Sequence, residues 1–169
     1  GTMARLKDLV KFCKRHKLKM SSIKDLIEYK VKKEKLVKCV RTENSKIKYL
    51  KDFKTFIYKN ILDGTEHLAL VKGKVSSTKN ILVRMHSLNI YSDLLDPKNE
   101  ILSKSIDIIS KEENGIIVII RNPKKELLDK DFHVKRKSIL KEYGIGAQIL
   151  TDLGAKKITL LTTSTKKII

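Results

Sequence analysis

Near Leu36 the spacing of apolar residues changes from the three-to-four of a helix to the two of a strand. That switch constrains the fold more than any other feature of the 169 residues. Before it, Leu6, Leu9, Val10, Phe12 and Cys13 recur at helical spacing through residues 4–17, with lysines and arginines on the remaining face. Ser21-Ser22 offers an N-cap for a second helix in which Ile23, Leu26, Ile27 and Val31 share a face. Two helices of this size cannot bury both stripes against each other alone, so they are expected to pack on something else. The lysine-rich run 30–38 reads as a linker or a charged helix end, which sets a boundary between segments 1–35 and 36–169.

After the switch, residues 36–40, 47–58, 67–75 and 81–85 alternate as strands do, with Asp63-Gly64 as the turn between the second and third. This part is predicted to be an antiparallel meander. Pro97 suits a first helical turn, and the segment it opens carries the stripe Ile101, Leu102, Ser105, Ile108 and Ile109, closed by Asn114-Gly115 as a C-cap. A strand at 116–121, a helix at 140–153 ending at Gly154, and a strand at 158–162 follow. Strand, helix, strand, helix, strand is a crossover pattern, which predicts parallel strands with helices packed on them. The fold class is α+β, a mixed sheet with flanking helices. Gly144-x-Gly146 lacks the third glycine of a dinucleotide fingerprint and lies inside a helical pattern, so it is a weak phosphate-loop signal.

Composition limits the partners. A hydrophobic share of 41% can fill a core, yet the longest apolar run, residues 116–120, falls far short of the ~20 residues a membrane helix needs. No apolar signal segment opens the sequence, so neither membrane insertion nor secretion is expected. Two cysteines, Cys13 and Cys39, cannot build a disulfide framework and suit a reducing, cytoplasmic setting. Lys+Arg of 38 against Asp+Glu of 19 gives a formal charge of +19, which invites phosphate contacts. Lysine supplies nearly all of it and isoleucine is abundant, as an AT-rich coding bias would produce. Arginine forks and exposed aromatics are sparse, so base-specific nucleic-acid recognition is not expected.

Two stretches resemble one enzyme pair. Residues 1–6, the helix after them and Ile23-Lys24-Asp25-Leu26-Ile27-Glu28-Tyr29 are similar to the extreme C-terminal part of 3,4-dihydroxy-2-butanone-4-phosphate synthase. The rest resembles GTP cyclohydrolase II, through Glu66-His67-Leu68-Ala69-Leu70-Val71-Lys72-Gly73, Val83-Arg84-Met85-His86-Ser87, Glu142-Tyr143-Gly144-Ile145-Gly146-Ala147-Gln148-Ile149-Leu150, and Leu160-Leu161-Thr162. In many bacteria the two activities are fused in this order in one riboflavin-biosynthesis protein. The resemblance implies a fragment of such a fusion, a homodimer, and a synthase active site with its magnesium upstream of Gly1. It also implies that the cyclohydrolase part ends early at Ile169.

Where chemistry is concerned the sequence departs from the family. The cyclohydrolase opens the imidazole ring of GTP with a water activated by zinc. The family holds that zinc with three cysteines, one two residues after the His-Ser pair and two more about a dozen positions on. Asn89 stands at the first place and the region Asp96 to Lys98 at the others, with no cysteine among them, so zinc is predicted to be lost. His86 with Asp93 and Asp96 makes a poor ligand set, and a lone strand histidine is more often a hydrogen-bonded core residue. The family's glutamate-glycine-arginine triplet is replaced by Asn122-Pro123-Lys124-Lys125, and its substrate-binding segment is shortened between Lys130 and Tyr143. Ile139 stands for the family's proton-accepting aspartate and Lys141 for its nucleophilic arginine. Isoleucine accepts no proton and lysine lacks the planar fork.

No catalytic residue is therefore assigned. Arg84, Ser87, Thr162 and Lys167 match family positions that contact the nucleotide, and would leave a residual nucleotide- or phosphate-binding pocket. Alternatively, Arg84 is a solvated strand residue, Thr162 an edge hydroxyl and Lys167 one of many surface lysines. The expected function is a degenerate cyclohydrolase-like domain serving a fused synthase structurally or by regulation. A working cyclohydrolase with a rearranged site and a basic nucleotide- or nucleic-acid-binding module are the rivals.

Overall fold

The computed structural model describes residues 3–23, 25, 26, 29, 34–122 and 136–162, with side chains from 143 onward in the last stretch. The chain divides into two compact units, 1–34 and 35–169.

In the first unit, helix α1 spans Leu6–Arg15. Asp8 caps its start by accepting the Arg5 backbone N–H at 3.0 Å. Lys14 and Arg15 in the last turn complement the helix dipole. The chain leaves through Lys17 at φ 53°, with the Leu18 N–H reaching the Cys13 carbonyl at 2.9 Å. No α1 residue is buried, and Leu6, Leu9 and Phe12 keep their stripe open. Ser22 is the N-cap that the sequence predicted. Its Oγ accepts the Asp25 N–H at 3.1 Å, while the Asp25 carboxylate accepts the Ser22 N–H at 3.0 Å, a reciprocal box. Ile23, Asp25, Leu26 and Tyr29 are helical; Ile27 and Val31 lie outside the described residues.

The second unit is built on one six-stranded sheet: β1 Val37–Asn44, β2 Phe53–Asn60, β3 Glu66–Lys72, β4 Asn80–Ser87, β5 Gly115–Ile120 and β6 Lys157–Leu160. The strand order is β1-β2-β3-β5-β4-β6. The first four in that order run antiparallel, whereas β4 pairs in parallel with both β5 and β6. The α+β class and the mixed sheet are as expected from the period switch and the crossover pattern, but the antiparallel meander ends at β3: the strand read at 81–85 lies between β5 and β6 and runs parallel to both. Helices α2 Ile90–Leu95 and α3 Ile101–Lys111 join β4 to β5, and α4 Arg136–Asp152 precedes β6.

Alternation along each strand makes two cores. On one face Ile81, Val83, Ile116 and Val118 meet Ile145, Ile149 and Leu150 of α4. On the other, Phe53, Leu70 and Ile117 meet Ile106 and Ile109 of α3. Each fully buried aliphatic side chain contributes about 1.5–3 kcal/mol, so these layers dominate the stability of the unit. Among the described residues no helix is long and apolar enough to cross a membrane.

Several local expectations are corrected. Lys48–Leu50 form a 3-10 turn, so the strand read at 47–58 begins only at Phe53. The strand read at 67–75 stops at Lys72, because Gly73 turns the chain at φ 67°. Pro97 opens no helix. It occupies a turn in which Asp96 Oδ1 accepts the Lys98 N–H at 2.9 Å, and α3 starts at Ile101. Gly115 is no C-cap: α3 ends at Lys111 with Glu112 as its cap, and Gly115 lies in β5, where an added Cβ would fall 2.4 Å from Ile109 Cγ2. The buried stripe of α3 is Ser105, Ile106 and Ile109, while Ile101 and Ile108 stay more than a third exposed. The short helix α2 had no counterpart among the predicted elements. Gly146 allows close packing of α4, since a Cβ there would sit 2.1 Å from Met85 Cε.

The end of α4 is fastened to the sheet by polar contacts. Asp152 accepts from Lys35 Nζ at 2.6 Å and from the Tyr58 hydroxyl at 2.9 Å, and Gln148 Oε1 accepts the Leu36 N–H at 2.8 Å. The Lys35 ammonium, helped by the Tyr58 hydroxyl and opposed by burial, holds the Asp152 carboxyl below its ordinary 3.8. A carboxyl lowered on folding stabilises above its unfolded pKa, and the gain is lost as pH falls through the lowered value. Asp152→Asn should therefore be less stable than the parent chain at pH 7. The difference should close as pH drops below 3.8, which denaturant melts across a pH series would measure.

Candidate functional site

Strand β4 decides what can face what. Ile81, Val83 and Met85 point to the α4 layer, so Leu82, Arg84 and His86 point to the α3 layer. Arg84 is only 9% exposed. Its Nη1 donates to the Leu161 carbonyl at 3.0 Å, and among the described residues its buried Nε has no partner. Burial lowers its pKa from the ordinary value, yet a guanidinium remains protonated at neutral pH.

A cavity of about 310 Å³ opens beside it, lined by Lys98, Ile101, Lys104, Ser105, Ile108 and Thr162 together with Glu100 and Leu161. Lys104 is paired with Glu100 at 2.6 Å one helical turn away. Arg84 and Lys98 thus give the cavity its positive character. Such a basin, with a buried fork at its base and a hydroxyl at its rim, suits a phosphate or another anion.

Two of the four residues singled out from sequence meet here: Arg84 and Thr162 line one cavity. The reading of Arg84 as a solvated strand residue is corrected, because α3 covers it. Ser87 lies three positions beyond Arg84, so alternation sets it on the opposite face of the sheet. Lys167 lies outside the described residues, as do positions 123–135; Ile139 and Lys141 fall within α4, and their side chains lie outside the described set. Sequence reading missed Lys98 and Lys104. The Glu100-to-Lys104 spacing was the available signal.

Beyond Arg84, His86 and Asp93 form a buried pair, with Nε2 donating to Oδ2 at 2.8 Å and each side chain 7% exposed. Asp93 Oδ2 also accepts the Asn89 N–H at 2.9 Å, and Oδ1 accepts from Asn99 Nδ2 at 3.0 Å. Asn89 caps α2 through its side chain, which accepts the Ser92 N–H at 3.2 Å. Of the residues that sequence reading set at the zinc positions, Asn89 caps a helix with its amide and Asp96 holds a turn. Among the described residues no group of three or more His, Cys, Asp or Glu side chains is arranged to hold a metal ion. The donor set does not fit a thiolate-bound zinc.

The family model for GTP cyclohydrolase II matches residues 38–169. The chain belongs to the GTP cyclohydrolase II family. It is 35% identical over 193 aligned positions to the riboflavin biosynthesis protein RibBA of Aquifex aeolicus, covering 100% of this chain and 47% of that protein. It is also 35% identical over 170 positions to a 3,4-dihydroxy-2-butanone 4-phosphate synthase of Neisseria meningitidis, covering 95% of this chain and 47% of the relative. Among solved structures it is similar to RibBX, a two-domain 3,4-dihydroxy-2-butanone 4-phosphate synthase from A. baumannii, with a TM-score of 0.72 and 30% identity over 99% of this chain and 46% of that one. The chain spans about half the length of these relatives.

Proposed function

We propose that this chain serves riboflavin biosynthesis as a cyclohydrolase-like domain that no longer opens GTP. In this reading it acts structurally or by regulation on a fused 3,4-dihydroxy-2-butanone-4-phosphate synthase, whose C-terminal segment is residues 1–35. The observation that carries the reading is the fate of the zinc positions. Asn89 and the Asp96 turn spend their polar groups on local backbone, and neither Asn89 nor the region Asp96 to Lys98 offers a thiolate to lower the pKa of a bound water. A relative named for the synthase alone is 35% identical over 95% of this chain, which supports the same assignment.

The buried Arg84, with Thr162 and Lys98 around the cavity, supports a retained nucleotide or phosphate ligand held without turnover. Lys167 completes the set of residual contacts in this proposal; Ser87, on the other face of the sheet, drops out of it. A cytoplasmic homodimer, with magnesium confined to the synthase, completes it. Zinc content measured together with formate release from GTP tests the loss of chemistry. The expected result is less than one tenth of a zinc per chain and no formate above a protein-free blank. Stoichiometric zinc with turnover would overturn the reading in favour of a working cyclohydrolase.

A further inference from the structure

On the sheet face opposite Arg84, a second cavity of about 370 Å³ lies between the strands β1 to β3 and the end of α4. Its apolar lining is Phe56, Val71, Val75 and Leu153, and its cations are Lys54 and Lys74. The volume is in the range of small-ligand sites, where apolar walls with a few placed polar groups are the rule. None of these residues belongs to the basin around Arg84.

Local structure explains why the side chains converge. A β-bulge interrupts the pairing of β1 and β2 between Cys39 and Arg41. The extra residue shifts alternation by one, so Thr42 comes to the same face as Cys39, and their side chains meet at 3.5 Å. Cys39 thereby lines the cavity beside Phe56. Lys54 precedes Phe56 by two on β2, hence on the same face, and its ammonium is held over the Phe56 ring at 5.6 Å from the centroid. Gly73 turns the chain out of β3, bringing Lys74 to the rim.

The charge balance of the site selects its ligand. The one carboxylate among the described lining residues, Asp152, is already matched by Lys35 and the Tyr58 hydroxyl. Among the described residues Lys54 and Lys74 pair with no carboxylate, so the lining carries surplus positive charge above an aromatic and aliphatic floor.

We infer that this cavity is a binding site for a flat aromatic molecule carrying one acidic group, its ring against Phe56, Val71 and Val75 and its acid toward Lys54 and Lys74. The site is independent of the proposed loss of GTP chemistry, because it lies on the other sheet face and uses other residues.

Cys39 supplies the reporter. In the full 169-residue chain carrying Cys13→Ser, Cys39 is the only thiol, and its alkylation by iodoacetamide reads occupancy of the cavity. The probe is 8-anilinonaphthalene-1-sulfonate, an aromatic with one anion, and N-phenyl-1-naphthylamine is its uncharged counterpart. Saturating sulfonate should slow alkylation at least fivefold. The sulfonate Kd should rise at least tenfold in Lys54→Glu/Lys74→Glu and to a lesser degree in Lys54→Ala/Lys74→Ala, whose exposed positions leave the core untouched. The uncharged amine should protect weakly and equally in all three chains. The inference fails if the sulfonate gives no protection, or if protection is unchanged by charge reversal. It fails equally if the amine protects as well as the sulfonate. Protection that grows with protein concentration without any probe would assign the face to a second copy of the chain and also overturn it.

Discussion

Asp93→Ala should cost about 3–5 kcal/mol of folding stability, because it strips a buried histidine of its carboxylate and strands two further donors. Asp93 is 7% exposed and accepts from His86 Nε2, the Asn89 backbone N–H and Asn99 Nδ2. Those three donors come from the end of β4, the start of α2 and the turn before α3. Removing the carboxylate therefore loosens the whole connection between β4 and α3. Asp93→Asn keeps the shape and one acceptor but turns an N–H₂ toward one of the donors, so an intermediate loss of about 1–3 kcal/mol is expected. Combining His86→Ala with Asp93→Ala should cost clearly less than the sum of the single changes, since the second substitution removes a partner already missing. Denaturant midpoints for the parent and the four variants measure all of this. Additive losses would mean that the two side chains do not depend on each other.

How much of that network the sequence disclosed is instructive. The pairing of His86 with a nearby aspartate was open to reading, and a hydrogen-bonded core histidine was the expected alternative to a metal ligand. Helix α2 was not legible, because Ile90, Tyr91, Leu94 and Leu95 are all substantially exposed and give no inward stripe. Its only local signal is Asn89 three residues before Ser92, a capping pattern that many turns share. Strands β2 to β5 were legible because each buries one or both faces, and β5 buries nearly every residue. Helix α3 was read with its face rotated, since Ile101 and Ile108 line the open Arg84 cavity instead of the core. A hydrophobic stripe records which residues are apolar; it does not say which of them border a site. For the same reason the cavity on the α4 face left no trace in the sequence. It arises from a bulge in β1 and a left-handed glycine after β3, and neither has a periodic signature.

Gly73→Val should be the other severe substitution, with a loss of about 4 kcal/mol. Two independent costs add at this position. The backbone sits at φ 67°, a region that β-branched residues avoid most strongly. A Cβ there would also lie 2.1 Å from the Glu113 carbonyl oxygen and 2.6 Å from Asn114 Oδ1. The first obstacle is backbone and cannot swing aside, because Glu113 stands two residues before β5, which is buried on both faces. The second obstacle is the side chain whose Oδ1 accepts the Lys74 N–H at 2.9 Å, so moving it releases the turn that carries Lys74. Gly73→Ala meets the same atoms without the branched side chain and should lose less, about 3 kcal/mol. At Gly64, by contrast, φ is 70° but a Cβ would touch only Lys59 Cε at 3.7 Å. Gly64→Ala should therefore show the conformational cost alone, about 1 kcal/mol. The difference between Gly73→Ala and Gly64→Ala in thermal or denaturant unfolding isolates the steric part. A difference near zero would mean that the strand β5 yields to the intruding methyl, and that the turn after β3 is not fixed by its fit against Glu113.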